Sequence, residues 1–412
     1  MVYEKKYENG LRLVVKKMEG LMSVTMGILI GTGASVETDA EDGISHYIEH
    51  MQFKGTHKRS SYEISDAFDA LGAQVNAFTG KDVTCYYSKC TSDHTAEAFE
   101  ILSDLFLNAT YPDEEAVREK GVICEEIAMN EDTPEDLCLD LLAQAFYGKG
   151  NYGRNILGPA ENVKSFTMDD VAKYKKARYC PENIVISFAG GIDFVTAQAL
   201  VETYFHSLEK GSFEKRERKI LYAHQSLVKK KKIEQMHLGI AYPTLPRGHE
   251  LADAVNAVNG VLGGNMSSRL FQEVREKQGL AYSVYSYLSP FEETGSLMIY
   301  AGVNANNLLQ AYDAINRVID ELKEKGISEK EFLRSREQMK AGMFFSNENT
   351  SSQMLLYGKY MLQRNEIFDF DEKLNKINAL THADAMTALQ TMFDEKAKAV
   401  SLIGNTDKAL TL

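Results

Sequence analysis

The chain has 412 residues, more than one ordinary domain holds, so two or three domains are expected. Hydrophobic residues make up 44%, charged residues 25%, and only 7 are Pro, which excludes disorder, collagen-like repeats and low-complexity architectures. Lys and Arg total 46 against 59 Asp and Glu, and the resulting −13 argues against nucleic acid or anionic membranes as partners.

The opening stretch MVYEKKYENGLRLVVKK is charged throughout and lacks the apolar core of a secretory signal. Nor does any segment reach the roughly 18 uncharged apolar residues of a membrane span. Five cysteines form no C-x-x-C pair, so reduced thiols in the cytoplasm are the expectation. Alternating apolar and polar residues predict strands at 11–15 and 24–30. Helical periodicity follows at 44–53 and 62–71, a strand at 83–88, helices at 94–107, 114–130 and 135–147, and a buried strand at 184–188. This order predicts an α+β fold, with helices packed on a mainly antiparallel sheet.

Residues 207–219 and 229–232 are charged and poor in apolar side chains. They mark a charged linker at 211–231, which divides the chain into domains at 1–210 and 232–412. Beyond the linker the plan recurs. The segment 167–193 matches 381–407 at an offset of 214, and Asp113 matches Glu329 at an offset of 216. Two distant landmarks with nearly one offset predict two similar domains related by internal duplication.

The strongest local signal is His46-Tyr-Ile-Glu49-His50. On a helix, His46 and His50 lie one turn apart on one face, where two imidazoles can share a metal ion, with Glu49 beside them. Ile44, Tyr47, Ile48 and Met51 form a separate apolar stripe that can pack. By chance such a pattern arises in about 0.03 chains of this length and composition. A catalytic zinc site takes three protein ligands and leaves one position open. The helix at 114–130 offers Glu119, Glu125 and Glu126. Glu119 and Glu126 share a face and Glu125 lies about 100° away, a difference that does not choose between Glu125 and Glu126 as the ligand.

H-x-x-E-H is the inverzincin signature. With its downstream pair of glutamates, the chain resembles the pitrilysin/insulysin (M16) family of zinc metallopeptidases, to which mitochondrial processing peptidase and its bacterial homologues belong. The segments GTGASVETDAEDGISHYIEHMQFKGT (31–56), LGAQVNAFTGKDVTCYY (71–87) and RLFQEVREKQGLAYSVYSY (269–287) extend the similarity over essentially the whole chain. Tyr47-Ile48 replaces a common Phe-Leu, and Gln52 stands where an apolar residue is common.

The resemblance implies one Zn2+ per chain, held by His46, His50 and Glu126, with 75 residues between His50 and Glu126. It implies Glu49 as general base and Glu119 as a supporting acidic residue. Arg275 and Tyr282 become substrate-binding groups, with Tyr282 donating to the oxyanion or a neighbouring carbonyl. Asn76, Ala77 and Phe78 lie in a strand that would pair with extended substrate. Without the resemblance, Tyr282 reads as a core aromatic and Arg275 as a surface ion pair.

Family enzymes enclose substrate between four such domains, so a two-repeat chain is expected to form a homodimer. In it, the Arg275–Tyr282 segment would face the partner's zinc site. The function implied is hydrolysis of short or unfolded peptides. The competing reading is a subunit, catalytic or inert, of a heteromeric processing-peptidase-like complex. Phosphate binding at GVLGGNMSSRLF (260–271) and a Ser or Cys nucleophile both lack a supporting motif.

Overall fold

The computed structural model describes every residue except 212, 214, 219, 221, 407–409, 411 and 412. Parts of the expected linker 211–231 and the end of the 381–407 repeat therefore lie outside the described residues. The chain forms two compact units. One comprises 1–127, 155–218 and 344–369, the other 128–154, 219–343 and 370–412.

In the first unit six strands make one sheet: β1 (Val2–Lys6), β2 (Arg12–Lys17), β3 (Ser23–Ile30), β4 (Gln74–Thr79), β5 (Thr84–Thr91) and β6 (Ile184–Gly190). Their order is β1-β2-β6-β3-β5-β4. Every neighbouring pair is antiparallel except β2 and β6. β3 is buried on both faces, and its alternation assigns each side chain a layer. Val24, Met26, Ile28 and Ile30 join Phe99, Leu102 and Phe205 in the main core. Thr25, Gly27 and Leu29 face the helix Thr350–Arg364, where Thr25 Oγ1 lies 2.8 Å from Thr350 Oγ1.

That helix comes from the second half of the sequence. It buries Met354, Tyr357, Gly358 and Met361 at i, i+3, i+4 and i+7, and Asn349 caps it by accepting from the Ser352 amide at 2.9 Å. Gly358 sits directly on the sheet. A Cβ there would lie 2.6 Å from Leu29 Cδ1 and 3.1 Å from Ser187 Cβ. Gly358→Val is therefore expected to destabilise the first unit by about 1–3 kcal/mol, read as a lower thermal midpoint against the parent chain.

The second unit carries β7 (Ser226–Lys230), β8 (Gln235–Thr244), β9 (Ala281–Pro290), β10 (Gly295–Asn304) and β11 (Ala399–Gly404), in the order β7-β11-β8-β10-β9. β7 and β11 run parallel and the rest antiparallel. The helix Pro134–Tyr147, from the first half of the sequence, packs Leu137 and Cys138 against Tyr300 and Ile403. The opposite face meets the helices Ala252–Leu262, Leu308–Lys325 and His382–Gln390.

The duplication is plain in this comparison. Without β1, the first sheet has the order of the second. The helices Asp113–Glu131 and Glu329–Asn347 occupy equivalent places, as do Pro134–Tyr147 and Thr350–Arg364. The fold is α+β, with two mainly antiparallel sheets covered by helices. β7 lies inside the charged stretch expected as a linker. Its lysines suit an edge strand, where charge blocks further pairing. Among the described residues no helix is long and apolar enough to cross a membrane.

Candidate metal centre

The helix Ile44–Met51 is two turns long. Its stripe Ile44, Tyr47, Ile48 and Met51 packs with Ala116 and Ile123 of the helix Asp113–Glu131. This contact aligns the two helices so that their polar faces meet beside the apolar seam. His46 Nε2 lies 3.7 Å, and His50 Nε2 3.4 Å, from Glu126 Oε2. The three offer ligand atoms within 4.8 Å of one another. Tetrahedral ligands about 2.0–2.1 Å from one zinc ion stand about 3.3–3.4 Å apart, so the cluster has the span of a single-ion site. Two imidazoles and a carboxylate are also a donor set that zinc accepts. The His46 side chain is nearly enclosed, whereas that of Glu126 is 39% exposed, which leaves the cluster open on the glutamate side. Glu125 lies on the exposed surface of the same helix.

Each ring has a different support. His50 Nδ1 is 2.8 Å from Glu119 Oε1, and the other oxygen of Glu119 is 2.6 Å from Lys54 Nζ. An N–H at Nδ1 donating to Glu119 leaves the Nε2 lone pair aimed at Glu126. Burial works against the Glu119 charge. Hydrogen bonds from His50 and Lys54 outweigh it and hold the carboxyl below its usual range. His46 has no such partner: its Nδ1 is buried without a hydrogen bond among the described residues. Burial, with repulsion from His50, lowers its pKa to about 3, so the ring is neutral and can donate a lone pair.

Glu49 points to β4, where Thr79 Oγ1 donates to its Oε2. Burial raises its pKa and the charge of Glu126 adds to that. The Thr79 hydroxyl and His50 oppose the shift, as a bound cation also would. β4 is the last strand of its sheet and pairs only with β5 among the described residues. Asn76 is exposed, and Ala77 and Phe78 are half-buried. Asn76 Oδ1 accepts from the Ala77 amide at 2.8 Å.

Arg275 and Tyr282 form a cluster of their own in the second unit. The Arg275 guanidinium carbon lies 4.6 Å from the Phe271 ring centre and 5.2 Å from that of Tyr282. Tyr282 is 79% exposed at the start of β9, so it is not a core aromatic. β9 is an edge strand of its sheet, as β4 is of the first.

Lys54 and Thr79 were not singled out from the sequence. Lys54 had a usable signal, since it follows His50 by one helical turn. Gln52, the departure at a usually apolar position, is fully buried and well partnered. Its Nε2 donates to the carbonyls of Leu105 at 2.7 Å and Phe106 at 2.6 Å, while its Oε1 accepts from Tyr111 at 2.6 Å.

Comparison with known proteins adds to this geometry. Residues 12–160 match the family model described as insulinase (peptidase family M16). Residues 165–339 match the one described as the peptidase M16 inactive domain. An uncharacterized zinc protease of Bacillus subtilis is 43% identical over 374 residues, covering 90% of this chain and 91% of that protein. One of Streptomyces coelicolor is 34% identical over 405 residues, covering 96% and 88%. Among solved structures, a protease from Helicobacter pylori shares the fold with a TM-score of 0.91 at 20% identity, over 98% of this chain and 99% of that one.

Proposed function

The chain belongs to the M16 family and is a zinc metallopeptidase, and from that premise we propose that it is an endopeptidase of short or unfolded peptides, working as a homodimer with one zinc per chain. The observation that carries this reading is the convergence of His46, His50 and Glu126 beside Glu49, itself tied to an open strand edge.

In this reading His46, His50 and Glu126 hold the ion. The chemistry a zinc ion supplies there is Lewis acidity, which acidifies water toward neutrality and polarises a carbonyl. Glu49 takes the proton of the attacking water and returns it to the leaving amine, with Thr79 fixing the carboxylate's direction. Glu119 and Lys54 keep the His50 ring in one tautomer and orientation.

An extended substrate pairs with the free edge of β4 at Asn76, Ala77 and Phe78, and the Asn76 side chain yields the Ala77 amide to it. Main-chain pairing tolerates many sequences, so cleavage is broad. Arg275 grips the substrate backbone, and Tyr282 donates to the developing oxyanion or the neighbouring carbonyl, a contact worth about 10²–10³ in rate. In the homodimer these two groups come from the partner chain.

The test is hydrolysis of a fluorogenic unstructured peptide by the purified chain, with mass in solution measured alongside. Cleavage lost on chelation and regained with zinc, at the mass of two chains, is expected. An inert protein with one zinc bound, or activity only after a different subunit is added, would overturn the self-sufficient homodimer.

A further inference from the structure

The geometry points to Glu37 as a positioning residue for the metal site: it caps the helix that carries both histidines and thereby places His46. Glu37 is 4% exposed. Its Oε2 accepts from the Gly43 amide at 2.8 Å and its Oε1 from the Ser45 amide at 2.9 Å. These are amides at the start of the Ile44–Met51 helix, and the one between them, that of Ile44, donates instead to the Glu41 carbonyl at 2.8 Å.

A helix start is ordinarily capped by the residue just before it, through a Ser, Thr, Asp or Asn side chain. Here that residue is Gly43, with φ 95°. A Cβ on it would meet the Leu157 carbonyl oxygen at 2.7 Å and Gly158 Cα at 2.9 Å. The backbone of 157–158 therefore leaves room for glycine alone, and the capping role passes to a carboxylate six residues upstream. Its loop is pinned as well. Asn162 Nδ2 donates to the Asp39 carbonyl and Arg216 Nη2 to Glu41 Oε1, each at 2.8 Å.

The consequence falls on His46. His50 is oriented through its own ring by Glu119, whereas the Nδ1 of His46 has no partner among the described residues. Its direction therefore rests on the backbone of the first helical turn, the part most prone to fray. Glu37 holds that turn. Burial pushes the Glu37 carboxyl up to about 7 against the pull of its hydrogen bonds, and Asp42 adds to the rise. A group kept there against such a penalty has a task that an apolar side chain of the same size could not perform.

The experiment compares Glu37→Gln, Glu37→Asp and Thr25→Val in the full chain. Zinc affinity is measured by competition with a chromophoric chelator, and kcat and KM on a peptide. Gln offers one acceptor and one amide donor, so one backbone N–H would face a donor. We expect Glu37→Gln to weaken zinc binding about 10- to 100-fold, the range for losing an outer support of a ligand, and to lower kcat with KM within about twofold. Glu37→Asp, which keeps an acceptor, should retain more affinity than Gln. Thr25→Val removes the 2.8 Å bond to Thr350 on the other face of the first unit's sheet, and should lower the thermal midpoint without changing zinc affinity.

In a His46→Ala background Glu37→Gln should weaken zinc no further, while in Glu119→Gln, which acts through His50, the two losses should add. Unchanged zinc affinity in folded Glu37→Gln would overturn the assignment. So would an equal loss in Thr25→Val, additivity with His46→Ala, or failure of both Glu37 variants to fold, which would make the residue one of the fold rather than of the site.

Discussion

Glu49→Gln is expected to lower kcat for peptide hydrolysis by about 10²–10⁴-fold while zinc binding stays close to that of the parent chain. The substitution keeps size and shape, and a Gln carbonyl oxygen can still accept from Thr79. What it removes is the ability to take a proton. Glu49 sits next to His50 in sequence, yet the carboxylate that closes the ligand cluster is that of Glu126. Base and ligand are thus separable in one experiment. A variant that loses zinc along with activity would make Glu49 a ligand. A variant that keeps activity would put the base elsewhere.

Much of the fold is written in periodicity. The strand readings at 24–30 and 184–188 fall on β3 and β6, and the helix readings at 44–53 and 114–130 on the two helices of the metal centre. These segments bury regular stripes, and regular burial is what pattern reading detects. The exchange of helices was not visible. The stripe Met354, Tyr357, Gly358, Met361 announces a buried face but does not name the sheet it meets. Partner choice is settled by long-range shape, such as the absence of side chains at Gly27 and Gly358, which lets helix and sheet approach.

The candidate site divides along the same line. His46, Glu49 and His50 are legible because one helix spaces them. Glu126 is harder, since a run of glutamates on a helix looks like solvated surface. The packing of Ile123 against the histidine helix turns Glu119 and Glu126 inward together and leaves Glu125 outside. Thr79 and Glu37 carry no local pattern at all. Their meaning comes from partners on other elements of the same unit, 30 residues away for Thr79 and Glu49. Gln52 shows the converse. A polar residue at an apolar position is tolerated because two backbone carbonyls at a helix end take both of its donors, while a tyrosine and Lys175 donate to its oxygen.

Glu126→Gln and His50→Ala are each expected to weaken zinc binding by about 10²–10³-fold and to reduce peptide hydrolysis to background at ordinary zinc concentrations. Structural four-ligand zinc sites bind with about 10–16 kcal/mol, so one ligand accounts for roughly 2.5–4 kcal/mol of that scale. Glu119→Gln sits a step lower, at about 10- to 100-fold, because it leaves all three proposed ligands in place and loosens only the His50 ring. Glu125→Gln, on the exposed side of the same helix, should stay within about twofold of the parent. Chelator competition on the four variants ranks them directly. The ordering matters more than any single value, because a general loss of the Asp113–Glu131 helix would weaken the glutamate variants alike. An effect of Glu125→Gln as large as that of Glu126→Gln would remove the basis for assigning the third ligand. A Glu119→Gln effect equal to that of His50→Ala would instead move Glu119 from supporting the ring to holding the metal.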